Sequence, residues 1–277
     1  MTGKLLGILL LACIAYGVTN WKGTSSCSTC LDYSLPSLMP QPSQTHLPYP
    51  PPPSPEAWKT LSAPDRLANT RERVLPLLHT ELTAKEATLG NAVYLRAFKE
   101  TRELELWVRS GPDSGGDWTL FRTYPVVALS GDLGPKLAEG DRQTPEGFYS
   151  VHTAALNPAS SYHLSFNIGY PNAFDQHHRR TGSHLMIHGR DVSVGCLAMG
   201  DPAVEEIYTL VEAALTAGQP EVPVHIFPFR MTEANLQAAA DSEWLDFWKN
   251  LKEGHDHFEQ HRLPPDTTVS DKRYVFK

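Results

Sequence analysis

"LMIHGRDVSVGCLAMGDP", residues 185–202, sets a histidine eight positions before a cysteine and threads glycine, serine and aspartate between them. Read forward, "SHLMIHG" is an apolar strand ending at His188, the next residues are loop, and "MGDPAVEEIYTLVEAALTAG" opens a helix. Asp201 fits its N-cap, Pro202 its first turn, Glu205 and Glu206 its positive end, and Gly218 its stop. Val204, Ile207, Val211 and Leu215 recur at helical spacing and form its buried stripe. A strand, a turn and a helix thus converge on Cys196.

A thiol attacks carbonyls only as thiolate, which needs a base or a positive field beside it. His188 is in sequence reach of Cys196 if the chain reverses tightly between them, and Gly189 and Gly195 tolerate the backbone angles of such a turn. The N–H groups of Gly195 and Cys196 would then face a carbonyl oxygen as an oxyanion hole. The following helix dipole and Arg190 add positive field. Two other readings stand beside this one. Cys196 is a small buried residue, or His177, His178, His184, His188 and Cys196 form a zinc set, with His184 and His188 on one strand face.

Outward from this stretch the chain alternates in short periods. "AVYLRAF" (92–98) and "ELELWVRS" (103–110) read as a hairpin of half-buried strands, "DWTLFRTYPVVAL" (117–129) as a third strand, and "SYHLSFNIGY" as another. The segment "SGDLGPKLAEGDRQTPEGFYSV" is rich in glycine and proline, and a connection of that length is expected to bind something. "VPVHIFPF" (222–229) closes the sheet. Residues 62–82 form a helix carrying Pro76, and 232–262 are helical with Trp244, Leu245, Trp248 and Leu251 on one face, followed by a polar tail. The fold class is mainly β with flanking helices (α+β): a β-sandwich-like domain with one internal helix and a C-terminal helical extension.

The start of the chain differs in kind. Lys4 and the uncharged apolar run 5–18 resemble an export signal, and "LLAC" resembles a lipidation box at Cys13. Residues 1–22 are therefore read as signal peptide or membrane/lipid anchor. Residues 23–57 are read as a linker, since "SLPSLMPQPSQTHLPYPPPPSP" favours polyproline II. Next come an N-terminal helical segment (58–91), the catalytic domain (92–229) and the helical extension (230–277). Cys27 and Cys30 lack the context of a redox or metal pair. A net charge of −7 argues against nucleic acid as a partner.

"HGRDVSVGCLAM", with "EGDRQTPEGFY" and "NIGYPNAFD" upstream in the same order, resembles the L,D-transpeptidase family with its YkuD-type catalytic domain, and its YafK-like murein branch in particular. The resemblance covers about residues 92–229. It implies a periplasmic or cell-envelope enzyme acting on the diaminopimelate-containing stem peptides of peptidoglycan, with no cofactor and no metal. Carried onto this sequence, Cys196 is the nucleophile, His188 the proton donor and acceptor, the Gly189 carbonyl the group that orients His188, and Gly195 an oxyanion-hole donor. Two positions depart from the wider family, which has histidine at Val194 and arginine at Ala198. Lys136, Arg142, Arg190 and Ser193 are the candidates to hold substrate in place of that arginine. Crosslinking, hydrolysis of crosslinks or of attachments to a wall-anchored lipoprotein, and plain wall binding are the functions this leaves.

Overall fold

Alternating polarity after residue 92 predicts strands with one face in water; the structure, a computed structural model describing residues 50–277, covers both faces. The antiparallel hairpin β1 (Val93–Phe98) and β2 (Glu103–Arg109) is extended by β3 (Trp118–Pro125). On the other side of β1 lies β9 (Val222–Phe227), parallel to it, and then β4 (Gly147–Val151). The order is β3-β2-β1-β9-β4, so the strand expected to close the sheet lies inside it.

One face of this sheet presents Val93, Leu95, Val224 and Ile226 to α4 (Asp201–Thr216) and α2 (Ala63–Thr83), where Val74, Leu78, Ile207 and Val211 complete a continuous apolar core. Each such side chain contributes about 1.5–3 kcal/mol on burial. The opposite face carries Tyr94, Arg96 and Phe98. It is roofed by α6 (Leu245–His261) and by a hairpin, β10 (Thr267–Ser270) and β11 (Arg273–Phe276), through Trp248, Leu251, Phe258 and Tyr274. Arg96 and Glu105, placed in water by the alternation, are each 4% exposed and pair at 2.8 Å. The roof forces them to pair, because an isolated buried charge is far costlier than a bonded one. The expected polar tail is this hairpin, and the expected single helix is broken into α5 (Glu233–Ala238) and α6.

A second sheet, β5 (Leu156–Asn157), β6 (Ser165–Asn167), β7 (Met186–His188) and β8 (Leu197–Ala198), with the short helix α3 (Ala173–His177) between β6 and β7, carries the opening stretch of sequence. Its strands are shorter than their apolar patterns, since His163 and His184 take positive φ and stop the pairing upstream of β6 and β7. The chain passes between the sheets after β3: Val127 N–H donates to the Ala198 carbonyl, and Ala128 pairs with Ala198. The long loop that follows is ordered, with the Lys99 ammonium donating to the Gly134 and Thr144 carbonyls and to Glu146. Helix α1 (Pro55–Thr60) begins inside the stretch expected to be linker and buries Trp58. The expected export signal, Cys13, Cys27, Cys30 and the proline-rich run up to residue 49 lie outside the described residues.

Candidate active site

Strand register brings Cys196 and His188 together. β8 runs parallel to β7 with Ile187 opposite Leu197 and His188 opposite Ala198, so Cys196 is level with Met186. Residues in register project from the same face, and so do positions two apart on one strand. Cys196 and His188 are therefore diagonal neighbours on one face. The expected tight reversal is instead a loop that travels back along β7 and re-enters parallel to it. Arg190 and Gly195 bear its positive φ, and a Cβ on Gly195 would sit 3.2 Å from both the Gln143 carbonyl and Leu185. Three contacts close the loop: Met199 N–H to the His188 carbonyl, Gly200 N–H to the Arg190 carbonyl, and Ser193 Oγ to the Cys196 carbonyl.

His188 is 2% exposed, and its Nδ1 lies 2.5 Å from the Gly189 carbonyl oxygen. A carbonyl only accepts, so Nδ1 carries the proton and Nε2 keeps a free lone pair. The Tyr162 ring lies against the imidazole, centroids 4.7 Å apart. Burial pushes the His188 pKa down, opposed by the Gly189 hydrogen bond and by the charge of Asp201. Burial pushes the Cys196 thiol up, opposed by the Met186 N–H and by the Lys136 ammonium. At neutral pH Cys196 is thus a thiol and His188 a neutral imidazole. The sulfur accepts from Met186 N–H at 3.4 Å and donates to the His184 carbonyl at 3.5 Å.

The remaining candidates divide. Lys136 is 4% exposed, and its ammonium is taken by Asp141 at 2.6 Å and the Ala138 carbonyl at 2.8 Å. It acts on Cys196 as a fixed charge. Arg190 pairs with Asp201 at 2.6 Å. Arg142 is exposed, and its carbonyl accepts from Ser130 Oγ. Gly195 N–H donates to the same Ser130 hydroxyl at 2.6 Å, so one of the two expected oxyanion donors has a partner within the protein.

The zinc set does not assemble. His184 lies before β7 with φ 55° rather than on its face, and His178 Nε2 meets the Lys272 carbonyl. Among the described residues no three His, Cys, Asp or Glu side chains are grouped to hold a metal ion. Asp201 is also placed differently. Gly200, at φ 74°, is the N-cap of α4, and Asp201, the first helical residue, turns its carboxylate back to the loop. Ser130, Tyr162 and this use of Asp201 are the site contacts that sequence reading missed. Serine in a glycine-rich loop, tyrosine in an apolar run and aspartate before proline carry no signal of their own.

A cysteine just before one short strand and a carbonyl-oriented histidine at the end of its neighbour, fed by an ordered glycine-rich loop, define the class: the chain belongs to the L,D-transpeptidase family. The family model for the L,D-transpeptidase catalytic domain (YkuD) matches residues 99–226. In particular, the chain is 47% identical over 191 residues to YafK of Escherichia coli (strain K12), a protein named for L,D-transpeptidase activity, covering 69% of this chain and 76% of that one. The YafK of Escherichia coli O157:H7 matches equally. Among solved structures, a variant of the helical cell shape determining protein Pgp2 from Campylobacter jejuni aligns with a TM-score of 0.41 at 20% identity, over 76% of this chain and 68% of that one. Bdellovibrio bacteriovorus Bd1075 aligns with a TM-score of 0.35 at 15% identity, over 68% of this chain and 87% of that one.

Proposed function

We propose that this chain is a cysteine-dependent L,D-transpeptidase acting on diaminopimelate-containing stem peptides of peptidoglycan through a thioester. The observation that carries the reading is the neutral imidazole held by the Gly189 carbonyl on the face that Cys196 shares. His188 Nε2 takes the thiol proton as sulfur attacks the amide carbonyl carbon. The oxygen's developing charge is met by Cys196 N–H, joined by Gly195 N–H when Ser130 Oγ yields it. The C–N bond then breaks, His188 returns the proton to the leaving amine, and the acyl group remains on sulfur. An incoming amine, deprotonated by His188, displaces sulfur and forms the new crosslink.

Water in place of that amine makes the same residues an amidase, cleaving crosslinks or releasing a wall-anchored lipoprotein. One observation favours keeping this second reading: Ala198 is fully buried against Ala128, and Lys136 and Arg190 are already paired. Of the three candidate cations only Arg142 is left exposed to hold an acceptor carboxylate. Residues 92–229 would act in the periplasm or cell envelope, exported by the N-terminal signal and spaced from its anchor by the proline-rich linker. The test is mass spectrometry of purified muropeptides incubated with the protein. New dimers identify transfer, shortened or released products identify hydrolysis, and neither product from a folded protein overturns both.

A further inference from the structure

The peptide between Gly189 and Arg190 is held at both ends. Its carbonyl accepts from His188 Nδ1 at 2.5 Å, and its N–H donates to Asp201 Oδ1 at 2.7 Å. In a trans peptide these two groups point in opposite directions, so His188 and Asp201 lie on opposite sides of one amide. A carboxylate bonded to an amide N–H draws that proton and leaves the carbonyl oxygen more negative, which makes it a stronger acceptor. The packing allows little else. A Cβ on Gly189 would stand 2.6 Å from Asp201 Oδ1 and 2.8 Å from the Tyr162 carbonyl.

We propose that Asp201 is the positioning residue for His188, acting through the 189–190 amide: its carboxylate holds the N–H of the peptide whose carbonyl holds the imidazole. The inference rests on the acyl-transfer reading above. It also accounts for an aspartate that begins α4 without capping it. The device is a carboxylate–amide–imidazole chain, in which the carboxylate never touches the ring.

Other charges face the same groups. Asp201 Oδ2 bonds the Arg190 guanidinium and lies 3.7 Å from His163 Nδ1, and His163 Nε2 meets Glu205 at 2.6 Å. Arg73 reaches Glu205 from α2, and Arg66 on that helix acts electrostatically on Arg190. Tyr162 covers the imidazole, and Lys136 acts electrostatically on the thiol. Among the described residues, Asp201 is the carboxylate that both acts on His188 electrostatically and bonds its peptide.

The test compares the full chain with Asp201→Asn and Asp201→Ala. Asparagine keeps an acceptor for the Arg190 N–H without the charge, and alanine removes both. Three quantities are read: the His188 ring titration and tautomer by nitrogen NMR, the pH dependence of Cys196 alkylation by iodoacetamide, and kcat and KM on purified muropeptides. In both variants the His188 pKa should fall, because an anion that favoured the imidazolium is gone. The alkylation midpoint should not move to higher pH, because the imidazole is already neutral where the thiol titrates and loss of an anion does not disfavour the thiolate. The Nδ1–H tautomer should survive in Asp201→Asn and mix in Asp201→Ala. kcat should drop about tenfold in the first and ~10²-fold in the second, with KM little changed. An unshifted His188 titration in Asp201→Asn overturns the proposal, as does equal loss of kcat in both variants with the tautomer unchanged. If alanine unfolds the chain by circular dichroism, the asparagine arm decides. A wild-type chain that turns over no muropeptide while the NMR shift appears would sink the functional reading and leave the positioning role standing.

Discussion

Two histidines lie at nearly the same depth, and their surroundings make them opposites. His188 on β7 is 2% exposed and His225 on β9 is 3% exposed. His225 bonds the Tyr94 hydroxyl at 2.8 Å and packs edge-on against Phe148. Burial, with Arg96 and His255 adding unfavourable charge, drives its pKa down to about 3. It is neutral at neutral pH. For His188 the same burial lowers the pKa but is opposed by a carbonyl and a carboxylate. Burial alone therefore does not mark a functional histidine; the sign of the neighbouring charge does.

The sharpest break in this comparison is at Cys196, the proposed nucleophile, which lies beside the strand of His188 and not that of His225. Cys196→Ala should abolish turnover of muropeptides while circular dichroism and the melting temperature stay close to wild type, because the sulfur makes only two long hydrogen bonds. Substantial activity in that variant would remove the nucleophile. His188→Gln should lower kcat by roughly 10²-fold or more, since glutamine bonds but does not shuttle a proton. In the wild type the acid limb of kcat/KM should lie below the ordinary imidazole value of ~6.5. The sign follows from burial: a lowered pKa keeps the base neutral further into acid. A limb above that value would mean that the charge of Asp201 outweighs burial.

His225→Phe should leave kcat per folded molecule unchanged and cost about 1–3 kcal/mol at neutral pH, because the Tyr94 hydroxyl loses its partner. Its pH dependence is the finer test. With a folded pKa of about 3, His225 leaves the unfolded chain binding the extra proton below the unfolded value. Its neutral burial therefore stabilises fully above the unfolded pKa, and that contribution is lost as pH falls toward the folded one. Urea titrations should show the gap between variant and wild type narrowing from pH 7 to pH 5. The smallest effect belongs to the proline-rich stretch: removing residues 23–49 should leave kcat on soluble muropeptides within about twofold, since so proline-rich a segment builds no core.

The same contrast shows what sequence reading reaches. His188 and Cys196 were legible because one short segment holds both, with glycines marking the turn. Gly189 was expected to orient His188 only through family resemblance, and the structure places its carbonyl there. His225 was invisible as a distinct case, since "VHIF" reads only as strand. Arg96 and Glu105 were misread because alternation reports which residues share a face, not whether another element lies over it. The roof comes from α6 and a hairpin more than a hundred residues later, whose "TTVSDKRYVF" looks polar in isolation. Asp201 was taken for a cap because its real partner, the Arg190 N–H, depends on how a loop returns in space.

The place of β9 also sets an order of events during synthesis. Leu95 on β1 pairs with Val224, and Tyr149 on β4 pairs with the same residue from the other side. Until the ribosome has released residue 227, β1 and β4 are two open edges with nothing between them, and such edges invite pairing with other chains. Joining them brings together segments about 130 residues apart, a contact slow to form in any chain. A truncation before residue 222 would therefore leave not a smaller enzyme but a split sheet prone to aggregate. The last strand of the sheet to be made is the one that joins its two halves.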